Sequence, residues 1–334
     1  MKNEKKFINL KSATNLKPIK INRNPLEILL KIKGKEYLKY RNEWKSASDM
    51  KLETDFPIHV DIDITGGCNR KCDMCLQWKN PGFTNKKISI NLLDRILSEV
   101  KRNGGKSINL GVNTEPTLYR PLFLETMLLM KKYDFIDSFI HTNGLTMNEE
   151  MAESILNAKI NNLSISLSML DNRKFTDKTI SSVILLKNLM KKKKSELPII
   201  RVSMIPTGEN IKETKRVVKI LNNVPDYIEF QDLADCNDIV KTMSLMEHVP
   251  VRCIDPWRRF YINAYGDMYG CAAFPAVSKH LFLGNYEKIG NNNPIKTVWS
   301  SEKMKIVRQK IKNLQIQECN DCMNLYYKFQ GKKT

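Results

Sequence analysis

From Phe56 onward the chain repeats one unit six times, a short strand of alternating apolar residues followed by a helical stretch. The strands are expected at Ile58–Ile64, Ser107–Val112, Ser138–His141, Leu163–Leu167, Ile199–Met204 and Tyr227–Gln231. The first intervening helix starts at Ser89, a good N-cap. It sets Leu92, Leu93, Ile96, Leu97 and Val100 on one face and stops at Gly104-Gly105. Thr146 and Glu149 read as a capping box for the helix after the third strand. Strands joined by helical crossovers pair in parallel. The expected class is α/β, a partial (β/α)6 TIM-like barrel; from Cys253 the rhythm stops, which argues against a complete eight-stranded one.

The alternation within these strands says what the barrel holds. One face carries Ile58, Val60, Ile62 and Ile64, then Ile108 and Leu110, then Leu163, Ile165 and Leu167. The other carries Asp61, Asp63, Asn109, Asn113, Ser164, Ser166, Ser168, Arg201, Ser203, Glu229 and Gln231. A sheet covered on both sides has near-continuous apolar strands, and a closed barrel fills its interior with branched apolar residues. A polar inner face instead suits an open lumen that receives polar ligands. The short third strand leaves its inner residues undecided.

Three cysteines follow the first strand as Cys68-Asn-Arg-Lys-Cys72-Asp-Met-Cys75, a CxxxCxxC spacing. A fully ligated [4Fe–4S] cluster takes four thiolates, so three on one loop leave a corner for a ligand that is not protein. A zinc knuckle or three unrelated buried cysteines are the simpler readings. Zinc sites usually pair CxxC with another CxxC or with histidines, and this loop holds no histidine. The N-terminus lacks a signal-peptide apolar stretch and nothing approaches a membrane span, so a cytoplasmic protein is expected. There, eight cysteines read as metal ligands rather than disulfides. The net charge of +19 comes with abundant Lys, Ile and Asn, and no aromatics interleave the charge as in RNA-binding modules. We read it as a solvated surface able to dock an acidic electron donor such as a flavodoxin or ferredoxin, without nucleic-acid or membrane partners.

The cysteine loop after the first strand resembles that of the radical S-adenosylmethionine (radical SAM) superfamily, and further landmarks agree. Asn113-Thr114-Glu115-Pro116 stands where that family commonly has Gly-Gly-Glu-Pro, and Thr142-Asn143-Gly144 matches a frequent turn lining its pocket. The resemblance implies a SAM-binding [4Fe–4S] cluster on Cys68, Cys72 and Cys75, with SAM contacts from Glu115, Asn143, Ser166 and Ser168. Met74 would pack against adenine. Arg201 is a candidate for the SAM carboxylate, with a surface salt bridge as the competing reading.

Beyond the barrel, Cys253, Pro256-Trp257, a strand at Phe260–Ala264, the turn Gly266-Asp267, Cys271, Leu283-Gly284-Asn285, Trp299-Ser300 and Cys319-Asn-Asp-Cys322 follow in order. This series resembles the SPASM/twitch extension of radical SAM enzymes, a small C-terminal β-hairpin/helix cluster-binding domain. No cysteine follows Cys322, so the resemblance implies one auxiliary [4Fe–4S] cluster on Cys253, Cys271, Cys319 and Cys322; a zinc ribbon of the same four is the alternative. The expected divisions are a basic N-terminal extension over 1–56, the barrel over 57–235 and the auxiliary domain over 236–334. Within the extension, Pro25 to Tyr40 reads as a helix with Leu26, Leu29, Leu30 and Tyr37 on one face, packing on the barrel or helping to hold substrate.

The expected activity is radical SAM oxidation, a dehydrogenation or crosslink, of a ribosomal peptide or a carbohydrate-like metabolite, as an oxidoreductase or maturase. Cys236, just past the sixth strand, is either a small buried hydrophobe or a catalytic thiol. As a hydrogen-atom donor it would make the enzyme a redox-neutral peptide epimerase. A non-catalytic Fe–S or zinc binding module is the reading from another class.

Overall fold

The computed structural model describes residues 19–72, 75, 84–167, 172–206, 210–231, 253–272, 281–316 and 319. Met74, Ser168, Cys236 and Cys322 lie outside the described residues. Ten strands form one sheet in the order β1-β7-β6-β5-β4-β3-β2-β8-β9-β10. Six of them are the expected parallel set: β2 (His59–Ile62), β3 (Ser107–Leu110), β4 (Asp137–Thr142), β5 (Asn162–Leu167), β6 (Ile199–Met204) and β7 (Tyr227–Phe230). Each pairs in parallel with the next, which gives the partial barrel.

The helices between them bury the apolar stripes that the sequence displays. In α2 (Ile90–Arg102), Ser89 accepts from Leu92 N at 3.2 Å, and Leu93, Ile96, Leu97 and Val100 are fully buried. Helices α3 (Arg120–Tyr133), α4 (Glu149–Asn157), α5 (Arg173–Lys192) and α6 (Ile211–Ile220) follow. The expected Thr146/Glu149 box does not form. Asn148 caps α4, accepting from Met151 N at 2.9 Å, and the Thr146 hydroxyl turns inward to Thr117. Asn148, adjacent to the first helical residue, thus satisfies the N–H three residues on, where the Thr146 box would have served Glu149 N.

Two features were not legible locally. β1 (Ile19–Ile21) adds antiparallel to β7 at one edge. At the other, β8 (Arg259–Ile262) joins β2 in parallel, and β9 (Asp267–Tyr269) and β10 (Phe282–Asn285) continue antiparallel. The C-terminal hairpin therefore extends the barrel sheet itself. Helices α7 (Pro294–Trp299) and α8 (Glu302–Lys312) pack behind it, with Trp299 edge-on to Phe260 at 6.1 Å.

Helix α1 (Pro25–Ser48) runs longer than the expected Pro25–Tyr40 and breaks at Gly34, where φ is 62° and ψ is −142°. The break changes which face is buried: Leu29, Tyr37, Tyr40 and Ala47 pack against Ile58, Leu197 and Ile199, whereas Leu26 is exposed. These contacts lie at the N-terminal ends of β2 and β6. Trp44 reaches the inner His59 edge-on at 5.6 Å. So α1 closes the end of the barrel opposite the cysteine loop.

Candidate active site

The C-terminal ends of the parallel strands carry the landmark residues to one mouth. The cysteine loop is gripped at its neck: Thr65 bridges Lys87, Gly66 N donates to Lys86 O at 2.7 Å, and Thr84 N to Gly66 O at 3.0 Å. It is tied to the β3 loop by Glu115 N donating to Gly67 O (2.9 Å) and Thr65 Oγ1 to Glu115 O (3.1 Å). Within it, Cys75 N donates to Cys72 O at 2.9 Å, folding the last two cysteines into one turn. The β3 loop needs Gly111, whose φ is +76° and where a Cβ would lie 2.5 Å from both His141 O and Pro116.

Glu115 is a junction between loops. Its Oε1 accepts from Thr117 N (3.1 Å), Thr117 Oγ1 and Thr142 Oγ1 (2.6 Å), and its Oε2 accepts from Asn143 N (2.7 Å). Burial raises its pKa, and the donors from Asn143 and the two threonines work against that. Asn143 sits directly beside the cysteines: its Nδ2 donates to Cys68 Sγ at 3.6 Å and to Asn69 Oδ1 at 2.7 Å. Burial pushes the Cys68 thiol up to about 12; the Arg70 N–H opposes that, while nearby Glu115, Cys72 and Cys75 add to it.

The inner face of the barrel is polar, as its sequence implies. Asp61 is fully buried and accepts from Arg259 Nε (3.0 Å) and Nη2 (2.8 Å), Asn109 Nδ2 (2.8 Å) and the His59 ring (3.1 Å). Burial alone would raise the pKa of Asp61, but Arg259 and then His59 outweigh it and hold the carboxyl well below the usual range. Asp63 accepts from Tyr261 OH at 2.7 Å and Asn113 N at 3.2 Å, and burial raises it to about 6. Arg201 lies one step deeper than Ser166, donating to Ser164 Oγ (2.9 Å) and Glu229 Oε2 (3.0 Å). Ser166 stands opposite Ser203 nearer the mouth.

Sequence reasoning left β4 undecided and read no role for the β8 side chains. The structure puts His141 in register with Ser164 and Arg201 on the inner face. Burial, then the Arg201 charge, lowers its pKa to about 3, so the ring is neutral. Period-2 counting back from Thr142-Asn143 would have found it. Arg259 and Tyr261 show no such signal, because their inward placement depends on β8 pairing with β2.

The second cysteine set flanks the hairpin, Cys253 preceding β8 and Cys271 following β9. Cys253 and Cys271 are buried in the main core, and half-buried Cys319 packs against the same cluster. Asn113 Nδ2 donates to Ala272 O at 2.8 Å, joining the β3 loop to this region.

Residues 62–221 match the model of the radical SAM superfamily, and residues 253–323 match that of SPASM, an iron–sulfur cluster-binding domain. The chain belongs to the radical SAM superfamily, the class that its parallel barrel and cysteine loop define, and it carries a SPASM domain at its C-terminal side. Streptococcus suis SuiB bound to S-adenosylmethionine superposes with a TM-score of 0.56 at 16% identity, over 97% of this chain and 81% of that one. BtrN in complex with AdoMet and 2-DOIA gives 0.52 at 15%, over 82% and 95%. AnSMEcpe with bound AdoMet and Cp18Cys peptide gives 0.54 at 15%, over 80% and 86%. At these identities the likeness shows the fold. A GTP 3′,8-cyclase from Chlorobaculum tepidum is 27% identical over 139 residues, 40% of this chain and 41% of that protein's length.

Membership brings SAM and a [4Fe–4S] cluster, and the SPASM domain brings auxiliary iron–sulfur. The cysteine loop fits the first cluster. Cys68 Sγ already receives Arg70 N at 3.4 Å and Asn143 Nδ2 at 3.6 Å, the donors a ligating thiolate accepts. Among the described residues no three His, Cys, Asp or Glu are placed to hold a single metal ion. A cluster is bound with each cysteine on its own iron, so its ligands need not converge on one point. No helix among the described residues is long and apolar enough to cross a membrane.

Proposed function

We propose that this radical SAM enzyme oxidises a polar substrate held in the barrel lumen, removing hydrogen from a carbon that bears a heteroatom. Cys68, Cys72 and Cys75 would hold the SAM-binding cluster, and Cys253, Cys271, Cys319 and Cys322 the auxiliary one. When bound, the first cluster supplies the electron that cleaves SAM to methionine and a 5′-deoxyadenosyl radical, and the second provides an acceptor for the electron left on substrate. The protein's part is to aim and to isolate.

The inner face carries this reading. Asn109 is buried with its Nδ2 on Asp61, and its Oδ1 has no hydrogen-bond partner among the described residues. An orphaned buried acceptor on the inner face, in register with Phe139, wants a donor, such as a hydroxyl or amide N–H of a ligand. The inner cations are already committed, Arg259 to Asp61 and Arg201 to Glu229. A neutral, hydroxyl- or amide-bearing substrate fits such a face better than a strongly charged one. SuiB is described bound to the precursor peptide SuiA, and BtrN with 2-DOIA. A ribosomal peptide and a carbohydrate-like metabolite are accordingly the two classes to screen. Helix α1 shuts the far end, so substrate enters by the same mouth as SAM.

The hydrogen balance makes the test direct. A dehydrogenated product is two hydrogens lighter: one leaves as an atom to the 5′-deoxyadenosyl radical, the other as a proton, with one electron going to the acceptor. The reconstituted enzyme is incubated anaerobically with SAM, reduced flavodoxin and candidate peptides or carbohydrates deuterated at carbon. We expect 5′-deoxyadenosine carrying deuterium and a product lacking two hydrogens. A product one mass unit lighter, its substrate deuterium replaced by a solvent hydrogen at an inverted centre, would replace oxidation by epimerisation. No SAM cleavage under any condition would refute both.

A further inference from the structure

We propose that Asn143 is a positioning residue for the first cluster, its side-chain amide donating a hydrogen bond to Cys68 Sγ that raises the cluster's reduction potential. This rests on the reading of Cys68 as a cluster ligand. The amide is fixed on every side. Its Oδ1 accepts from Leu145 N at 2.9 Å, so the NH2 group has to face the other way, toward the cysteine loop. There it donates to Asn69 Oδ1 at 2.7 Å and to Cys68 Sγ at 3.6 Å. The backbone is held as firmly. Asn143 N donates to Glu115 Oε2 (2.7 Å), and Asn143 O accepts from Thr179 Oγ1 (2.9 Å), a fully buried residue of α5. A flip would face the backbone N–H of Leu145 with an NH2 group and give up both bonds to the loop.

Nothing in this arrangement needs SAM. Arg70 N supplies a second donor to the same sulfur at 3.4 Å, so Cys68 receives two N–H groups of different origin, one from its own loop and one from the end of β4. Hydrogen bonds to cluster sulfurs are among the levers that set iron–sulfur potentials. A donor favours the state with more negative charge on sulfur, which is the reduced cluster. The bond therefore eases reduction by an external donor, and its loss makes the cluster harder to reduce. Because Asn143 also hangs from Glu115, the potential is coupled to the packing of the β3 loop.

The test is an EPR-monitored redox titration of the cluster-loaded chain without SAM, in wild type, Asn143→Leu and Asn143→Asp. The signal of the three-cysteine cluster is the one that changes on adding SAM, and the remaining signal is an internal control. Asn143→Leu should disfavour reduction about tenfold, a fall of about 59 mV for one electron. Asn143→Asp, which turns an acceptor toward the sulfur, should fall further, with the auxiliary signal unmoved in both. Equal midpoints in all three proteins would overturn the proposal. A weaker SAM affinity with unchanged midpoints would do the same and make Asn143 a SAM contact only. Loss of the SAM-responsive signal in wild type would instead refute the ligand reading itself. Should the variants not assemble, pulsed EPR on an Asn69→Ser background with asparagine labelled by 15N at the side-chain amide decides it. A resolved 15N coupling supports the bond, and its absence refutes it.

Discussion

Replacing Arg259 by methionine would test whether the C-terminal strand is electrically part of the barrel. Arg259 gives Asp61 two of its four hydrogen bonds, from Nε and Nη2. Asp61 is fully buried, so methionine, which spans a similar length without charge, leaves an uncompensated carboxylate with only His59 and Asn109 as donors. Breaking one partner out of a buried pair costs about 3–5 kcal/mol. That is a large fraction of the about 5–15 kcal/mol that separates native from unfolded domains. For a chain of this size it corresponds to a fall in Tm of about 4–7 °C. The pH dependence should change sign as well. In wild type the depressed pKa of Asp61 adds stability that is present above the unfolded value of 3.8 and lost as pH falls. Without Arg259, burial raises the pKa, so the variant loses stability as pH climbs past 3.8. The assay is anaerobic thermal unfolding of wild type, R259M, D61N and the double variant between pH 5 and 8. Removing both charges should recover much of the loss. A cost below about 1 kcal/mol for R259M, or a double variant no better than R259M, would refute the reasoning.

Three further outcomes are expected. Burial against helix α1 pushes Asp137 up to about 7, with Tyr37 OH at 3.4 Å and Asn162 Nδ2 at 2.8 Å as partners. Its contribution is whole below pH 3.8 and lost as pH rises through about 7, so Asp137→Asn should unfold at a higher temperature than wild type at pH 8, keep only part of that advantage at pH 5 and lose it near pH 3.8. Cys68→Ser should remove about one cluster's iron and abolish 5′-deoxyadenosine formation, whereas Cys253→Ser should lose iron but retain SAM cleavage, checked by iron assay and product quantitation. Glu115→Gln turns one acceptor of the loop junction into a donor facing hydroxyl or backbone N–H groups. It should weaken SAM binding tenfold or more by isothermal titration, equivalent to at least about 1.4 kcal/mol.

The parallel strands were legible because each is a local pattern: Ile58–Ile64 alternates over seven residues, and Ser89 announces the helix behind it. The same locality explains the failures. β1 is three residues long and exists only because β7 offers it an edge. Gly34 was visible, but the direction in which α1 turns there was not, and so Tyr40 rather than Leu26 became core. At the mouth, Glu115 and Asn143 were found through a motif. Its arrangement, with Glu115 holding the backbone of Asn143 while the amide faces Cys68, is a three-loop geometry that no single stretch encodes. Arg201, read as a candidate for the SAM carboxylate, has two partners on neighbouring strands, Ser164 and Glu229, that no local pattern announces.

The pairing of β8 with β2 has a consequence for how this chain is made. Val60 meets Phe260 in register, so a strand that emerges early from the ribosome waits for a partner synthesised two hundred residues later. Until then β2 is an open edge, and Asp61 lacks the guanidinium that offsets its burial. Ile19 pairs with Glu229 at the opposite rim. The margin at β2 is completed late, by β8, whereas β7 finds β1 already synthesised when it emerges. A nascent barrel would therefore present the open edge of β2 until β8 emerges, so chaperone protection is expected to precede release of the finished chain.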